Sequence, residues 1–296
     1  MTFLVGCNNA NSFCEKISKA IDVTLVKTVS KKFPDGETYV RVNADLEDKD
    51  VFVVQSGYPN QNDALMELYL TLDAIMDMDP RSIRLIFTYM PYSKQDKRFR
   101  EGEAVSSGTI LKLLKSFKIN QLSAINLHFA EGENEFDFLN MGIKNLNAAP
   151  LIEKYVSEKY GDFMTVLPGK GGSQLLNGDN LIFLETIRDE YVEKGKEYFG
   201  ESNLIAKDLE KIKGKVVLVL DDMINTGGTM AKTCDLVRKS GANKVISACV
   251  HGLFVGDSVS KLEKAKVDDI IATDTIENEF GKVSVAPLIV EEIKSL

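Results

Sequence analysis

The chain has 296 residues, 44% of them hydrophobic and 27% charged; at about 150 residues per domain this predicts two domains with sizeable cores. Its 36 basic and 44 acidic residues leave a net charge of −8, which disfavours a nucleic-acid or anionic-membrane partner but not a small anion held locally. Four sparse cysteines (Cys7, Cys14, Cys234, Cys249) without CxxC spacing exclude a disulfide scaffold, and neither a membrane-length apolar run nor a signal-like start is present; a soluble, cytoplasmic protein is expected.

In chain order, short β-rich apolar runs alternate with helix-like stretches. Strands are expected at Phe3–Val5, Val23–Val26, Thr38–Val42, Val51–Gln55, Ile83–Thr88 and Leu122–Leu127. A second series follows at Phe163–Leu167, Leu181–Leu184, Val216–Leu220, Lys244–Val250 and Asp269–Ala272. Leu65, Leu68, Leu72 and Ile75 recur at helical spacing within Asp63–Met78, and Ile110, Leu113 and Leu114 mark another amphipathic helix. Met230–Ser240 reads as a third, closed by Gly241. Runs such as Val216–Leu220 are apolar on both faces, as in a parallel strand covered on both sides. Repeated β–α alternation therefore predicts doubly wound α/β sheets, and the number of strands calls for two of them. The boundary is placed near residues 145–150, and 188–211, the least periodic stretch, reads as a loop with some helix.

The chemistry concentrates in Lys215–Met230, KVVLVLDDMINTGGTM. A buried strand ends on two carboxylates, Asp221 and Asp222, and Asn225-Thr226-Gly227-Gly228-Thr229 then opens a helix. Open α/β sheets bind ligands beyond the carboxyl ends of their strands. The glycines let backbone N–H groups approach a phosphate, Thr226 and Thr229 add hydroxyls, and a helix N-terminus favours negative charge. The carboxylates would then face sugar hydroxyls or a metal. The competing reading is an ordinary strand–turn–helix with an acidic cap. The stretch is neither a Walker loop, which ends in GK[ST], nor a GxGxxG turn.

This residue set resembles the PRPP-binding loop of phosphoribosyltransferase-type proteins. Three earlier blocks narrow the resemblance: Lys32–Val42 (KFPDGETYVRV), Tyr89–Phe99 (YMPYSKQDKRF) continued by Glu101–Ser106, and Asn126-Leu127-His128. In this order they resemble ribose-phosphate pyrophosphokinases (PRPP synthetases), in their archaeal-like form. The resemblance implies two similar phosphoribosyltransferase-type domains, each with a mostly parallel central sheet flanked by helices. Residues 1–147 would carry the ATP-side motifs and 148–296 the ribose-phosphate loop, in a homo-oligomer built from dimers. It implies transfer of the diphosphoryl group of Mg-ATP to the C1 hydroxyl of ribose 5-phosphate, giving PRPP and AMP, with Mg²⁺ as cofactor.

By the same resemblance, Phe33, Asp35 and Glu37 contact adenine from a neighbouring subunit, and Lys94, Gln95 and Asp96 lie near the nucleotide. Asp221, Asp222, Asn225, Thr226, Gly227, Gly228 and Thr229 take the ribose phosphate; His128, Asp221 and Asp222 stand near the metal. His128, Arg188 and Lys170 are the candidate catalytic residues. Several positions depart from the family pattern. Gly169 stands where the family has Asp, Thr186 where its mobile loop has Lys, and Lys94 where it has Arg, which loses a planar fork but keeps the charge. Lys170, Lys194 and Lys196 are possible substitutes for the loop cation. The acidic stretch Phe129–Phe138 reads as a solvated loop or as the source of a replacement metal ligand, and His251 has no assigned role. Four readings stay open: a divergent PRPP synthetase, the same chemistry on a larger acceptor such as ADP-ribose, a non-catalytic regulatory homologue, and a PRPP-using phosphoribosyltransferase. The cysteines read as small core residues.

Overall fold

The computed structural model describes residues 1–130, 134–169, 175–176, 180–188, 202–206 and 209–295. Contacts divide the chain into two compact units, one of Met1–Ala148 with the residues from Ser284 onward, the other Ala149–Val283. The first crossing between the two units falls after Ala148. The residues from Ser284, which include the C-terminal helix, belong to the first unit rather than the second.

In the first unit the strands are β1 (Thr2–Gly6), β2 (Thr24–Lys32), β3 (Thr38–Val42), β4 (Asp50–Ser56), β5 (Ser82–Tyr89), β6 (Gln121–Ile125), β7 (Asn134–Phe138) and β8 (Met141–Leu146). They form one sheet in the order β3-β2-β1-β4-β5-β6-β8-β7. Its interior pairs are parallel and only the two edge hairpins, β2/β3 and β7/β8, are antiparallel. Helices α1 (Asn11–Ala20), α2 (Gln61–Met76) and α3 (Ser106–Lys115) connect these strands. The expected stripe Leu65, Leu68, Leu72 and Ile75 is buried in the core with Val5, Val53, Leu85 and Leu122. Leu113, expected on the apolar face of α3, is exposed, whereas Ile110, Leu111 and Leu114 are buried.

The second unit begins with α4 (Ala149–Tyr160) and continues through β9 (Phe163–Pro168), β10 (Leu181–Arg188), β11 (Ser202–Ala206), β12 (Val216–Ile224), α5 (Gly228–Lys239), β13 (Lys244–Gly252), α6 (Ser258–Lys264), β14 (Asp269–Thr273) and β15 (Gly281–Val283). Among the described residues its sheet runs β11-β10-β9-β12-β13-β14-β15, parallel except for β10/β11. Val217 and Val219 pack with Met230, Cys234 and Val237 of α5, so the buried-strand reading of Val216–Leu220 holds. Gly241, at φ 91°, ends the α5 turn in the left-handed region that favours glycine.

Helix α7 (Ala286–Lys294) closes the chain on the first unit. Buried Glu292 accepts a hydrogen bond from Ser123 Oγ of β6 at 2.7 Å and pairs with Lys144 Nζ of β8 at 2.9 Å. The hydrogen bond to Glu292 raises the Lys144 pKa. Sequence periodicity had not marked β7, β8, β11 or β15. β7 lies in the acidic stretch read as a solvated loop or a source of a metal ligand, β8 runs up to the expected domain boundary, and β11 lies within the stretch read as loop with some helix.

Candidate functional site

In the second unit the acidic strand outruns its neighbour. β12 pairs with β9 only from Val216 to Val219, but with β13 from Val216 to Ile224. The chain passes from β9 outward to β10 on one side and from β12 to β13 on the other. The gap left beside residues 220–224 is therefore the switch-point crevice at which open α/β sheets take ligands. Asp221 and Asp222 lie inside the strand rather than just after it, as expected from the sequence, so alternation sends their side chains to opposite faces. Asp222 is buried and its N–H donates to Asp221 Oδ1 at 2.9 Å.

The loop after β12 is shaped by where its carbonyls go. Ile224 O accepts from Leu253 N and Phe254 N at 3.0 Å each, and Asn225 O from Val255 N at 2.9 Å. Thr226 O accepts from Lys261 Nζ at 3.1 Å. Three successive carbonyls thus face the β13–α6 connection and α6 itself. In a trans peptide the N–H points opposite to the C=O, so the N–H groups of Asn225, Thr226 and Gly227 turn the other way, toward the crevice at the end of β9. Gly227, at φ 72°, is the N-cap of α5, whose first N–H groups have no partners within the helix. Such a run of amides is an anion cradle.

Gly169 follows β9 at φ 74°. A backbone in that region favours glycine, which gives a physical reason for finding Gly where the resembled family has Asp. Lys170 lies outside the described residues, as do Lys194 and Lys196. Arg188 is the last residue of β10, in register with Ser202 of β11, and Thr186 is opposite Leu204. Both stand on a strand pair rather than in the loop expected from the sequence.

His251 sits on β13 in register with Met223, and is 1% exposed. Its Nδ1 lies 3.0 Å from Thr275 Oγ1, and the hydroxyls of Thr273 and Thr275 both reach Val250 O. Such a pattern ties the end of β13 to the end of β14, a packing role beside the acidic strand. All four cysteines are buried, and burial pushes the Cys14 and Cys234 thiols up to about 12. They are poor nucleophiles.

The first unit gathers its candidates at the same edge of its own sheet. The β5 and β6 strands are parallel neighbours, Phe87 opposite Ala124. Lys94, Gln95 and Asp96 follow the end of β5, and His128 follows β6. Glu103, which sequence reading did not single out, organises the loop after β5. Its carboxylate accepts from the N–H groups of Phe99 and Arg100 at 2.9 Å each and from Gln95 Nε2 at 3.4 Å, while Arg98 Nε donates to its carbonyl. Three asparagines fix the turn that carries His128. Leu127 N donates to Asn145 Oδ1 at 2.7 Å, Ala148 N to Asn126 Oδ1 at 2.8 Å, and Asn126 Nδ2 to Asn147 Oδ1 at 3.0 Å. The Asn-rich boundary was the available signal for this scaffold.

Beside the first unit's own switch point, between β1 and β4, lies a polar pocket lined by Asn8, Lys32, Asp63 and Glu67. Asn8 N donates to Glu67 Oε1 at 3.2 Å, and Lys32 pairs with Asp63 at 2.6 Å. Beyond it the β2–β3 hairpin projects into solvent. Gly36, at φ 95°, turns its tip, Phe33 N donates to Glu37 O at 2.8 Å, and Glu37 N to Asp35 Oδ1 at 3.1 Å. Phe33 is 44% exposed and meets Tyr39 edge-on, while Asp35 and Glu37 are exposed. Among the described residues no three His, Cys, Asp or Glu side chains group to hold a metal, and no helix is long and apolar enough to cross a membrane.

The sequence model described as the N-terminal domain of ribose phosphate pyrophosphokinase matches residues 2–117, and the phosphoribosyl transferase domain matches residues 181–288. The ribose-phosphate pyrophosphokinase of Sulfolobus acidocaldarius is 35% identical, over 95% of this chain and 96% of that protein. That of Methanothermobacter thermautotrophicus is 32% identical, over 98% and 99%. Among solved structures, the phosphoribosylpyrophosphate synthetase of Mycobacterium smegmatis aligns over 99% of this chain and 98% of its own, at 26% identity and a TM-score of 0.82. Two phosphoribosyltransferase-type α/β domains, the amide cradle below an acidic strand and these matches agree: the chain belongs to the ribose-phosphate pyrophosphokinase family and is an enzyme of the diphosphotransferase class.

Proposed function

We propose that the chain transfers the β,γ-diphosphoryl group of Mg-ATP to the C1 hydroxyl of ribose 5-phosphate, giving PRPP and AMP. The observation that carries this reading is the amide cradle at the end of β12, set beside Asp221 and Asp222 at the sheet's switch point. The 5-phosphate lies on the N–H groups from Asn225 to Thr229, with the Thr226 and Thr229 hydroxyls beside it. Asp221 and Asp222 hold the ribose hydroxyls and so aim the C1 oxygen. On the ATP side, Phe33, Asp35 and Glu37 meet the adenine held by a second copy of the chain, an assignment supported by the solvent-projecting hairpin with its exposed ring. Lys94, Gln95 and Asp96 lie along the nucleotide, and His128 beside its phosphates.

Diphosphoryl transfer depends on in-line positioning and on neutralising the charge of the transferred group. Mg²⁺ takes hard oxygen ligands and keeps several from water and substrate phosphates, so the Asp221 and Asp222 carboxylates suit it without a dense protein cluster. When bound, it neutralises the phosphate oxygens. Arg188 and Lys170 are assigned the remaining positive charge on the transferred group. One observation favours a second reading: Gly169 places no side chain at the end of β9, which leaves room for a larger acceptor such as ADP-ribose.

Incubation with Mg-ATP and each acceptor, scored for AMP, tests both. AMP with ribose 5-phosphate supports the proposal; AMP with ADP-ribose alone transfers it to the larger acceptor. No AMP with either, despite measurable ATP binding, refutes a catalytic role. Asp222→Asn is expected to abolish turnover with ATP affinity nearly intact, and an equal loss of ATP binding would remove Asp222 from the acceptor side.

A further inference from the structure

We infer that Lys261 is a positioning residue for the acceptor: it sets the Thr226–Gly227 peptide so that the Gly227 N–H faces the acceptor phosphate. The inference rests on the reading of that loop as the phosphate cradle. Of the three carbonyls that turn the cradle's amides outward, two are held by backbone N–H groups, which no side-chain substitution removes. The third, Thr226 O, is held by the Lys261 ammonium of α6 at 3.1 Å.

That third peptide is also the joint with the most freedom to rotate. Gly227 lacks a Cβ and tolerates both signs of φ, so nothing intrinsic to the residue prevents the peptide plane from swinging. It lies against the start of α6, where a Cβ on Gly227 would come within 3.0–3.1 Å of Ser258 O, Cα and Cβ. Lys261 follows Ser258 by three positions, on the same side of the helix, which brings its ammonium over the loop. Asp257 Oδ1 pairs with Lys261 Nζ at 2.8 Å. The lysine's charge is therefore balanced locally, and what it contributes is a directed donor. An ammonium has three donors, enough for the carboxylate and the carbonyl together. With the carbonyl held, planarity aims the Gly227 N–H away from α6.

The test compares Lys261→Met, Lys261→Gln and Lys261→Arg with the parent enzyme, with Thr229→Val as an independent probe of the loop. KM and kcat are measured for ribose 5-phosphate and for Mg-ATP, alongside melting temperature. Loss of one such hydrogen bond predicts that Lys261→Met raises the KM for ribose 5-phosphate by about tenfold. Changes in kcat and in the KM for ATP stay within about twofold, and Lys261→Gln and Lys261→Arg recover most of the loss. An unchanged KM in Lys261→Met, with a raised KM in Thr229→Val, overturns the role of Lys261 alone. Unchanged KM in both overturns the reading of the loop itself. Recovery by Lys261→Arg without Lys261→Gln assigns the effect to charge and overturns orientation. A parallel loss in both KM values, kcat and melting temperature reduces Lys261 to a structural residue.

Discussion

At Gly228, a Cβ built on the backbone meets no protein atom within 4 Å, and φ is not in the left-handed region. The protein therefore gives no steric reason for glycine at the first residue of α5. Replacing it with Ala removes backbone freedom from the unfolded chain and is worth roughly 0.5–1 kcal/mol of added helix stability. If a phosphate rests on the amides of this loop, the new methyl group enters the space that its oxygens occupy. Charge-assisted hydrogen bonds contribute about 1.5–3 kcal/mol each, so forcing the phosphate away from one amide is expected to cost about 2–3 kcal/mol. That corresponds to a KM for ribose 5-phosphate raised about 30- to 150-fold. Thermal unfolding and AMP-release kinetics on Gly228→Ala give both quantities. Equal or higher melting temperature with the raised acceptor KM is expected, and the KM for ATP is unchanged. An unchanged acceptor KM in a normally folded variant would refute the placement of the phosphate on this loop.

Two further outcomes follow from other parts of the molecule. Burial pushes the Asp269 carboxyl up, but hydrogen bonds from Lys282, Tyr160 and Lys159 outweigh it and bring its pKa down to about 2 from 3.8. Converted directly, that depression is about 2.4 kcal/mol, and the exposure of Lys159 and Lys282 reduces it to about 1 kcal/mol. Because the folded value is the lower one, this stability is complete above the unfolded pKa and is lost as pH falls toward the folded value. Asp269→Asn should lower unfolding stability by about 1 kcal/mol at pH 7, and the gap to the parent should narrow between pH 4 and 2; a gap independent of pH contradicts the ion-pair account. Phe33→Ala removes an exposed ring, so melting temperature should stay within about 1 kcal/mol equivalent while the KM for ATP rises about tenfold, the worth of one stacked aromatic contact. An unchanged KM for ATP removes the hairpin from the nucleotide site.

Much of this architecture was readable because burial leaves a pattern. Strands covered on both faces must be continuously apolar, and each of the eleven expected strands is present in the sheets, longer at several ends but with β6 stopping at Ile125, two residues before the expected Leu127. The DD–TGGT stretch was legible because strand, carboxylates, glycines and helix start occur in one local run. The edge strands β7 and β11 escaped because an edge needs fewer apolar residues, and β7 in particular alternates half-buried with exposed positions; β8, between β6 and β7, escaped because Gly142, Lys144 and Asn145 interrupt its apolar run. Glu103 and two of the asparagines beneath His128, Asn126 and Asn145, escaped for another reason: their carboxylate and amide oxygens accept from backbone N–H groups, which carry no residue identity.

The sequence by itself determined the α/β class, the order of the motifs and the family to which the chain belongs, since all three rest on local runs of residue types. Only the tertiary structure decided that Asp221 and Asp222 lie within a strand that outruns β9, and that Arg188 stands on a strand pair. Only it showed the last helix returning to the first unit through Glu292, and the cradle's carbonyls held by residues from Leu253 to Lys261. Those features depend on hydrogen bonds between groups far apart along the chain, and a backbone amide or carbonyl has the same chemistry whatever side chain it carries.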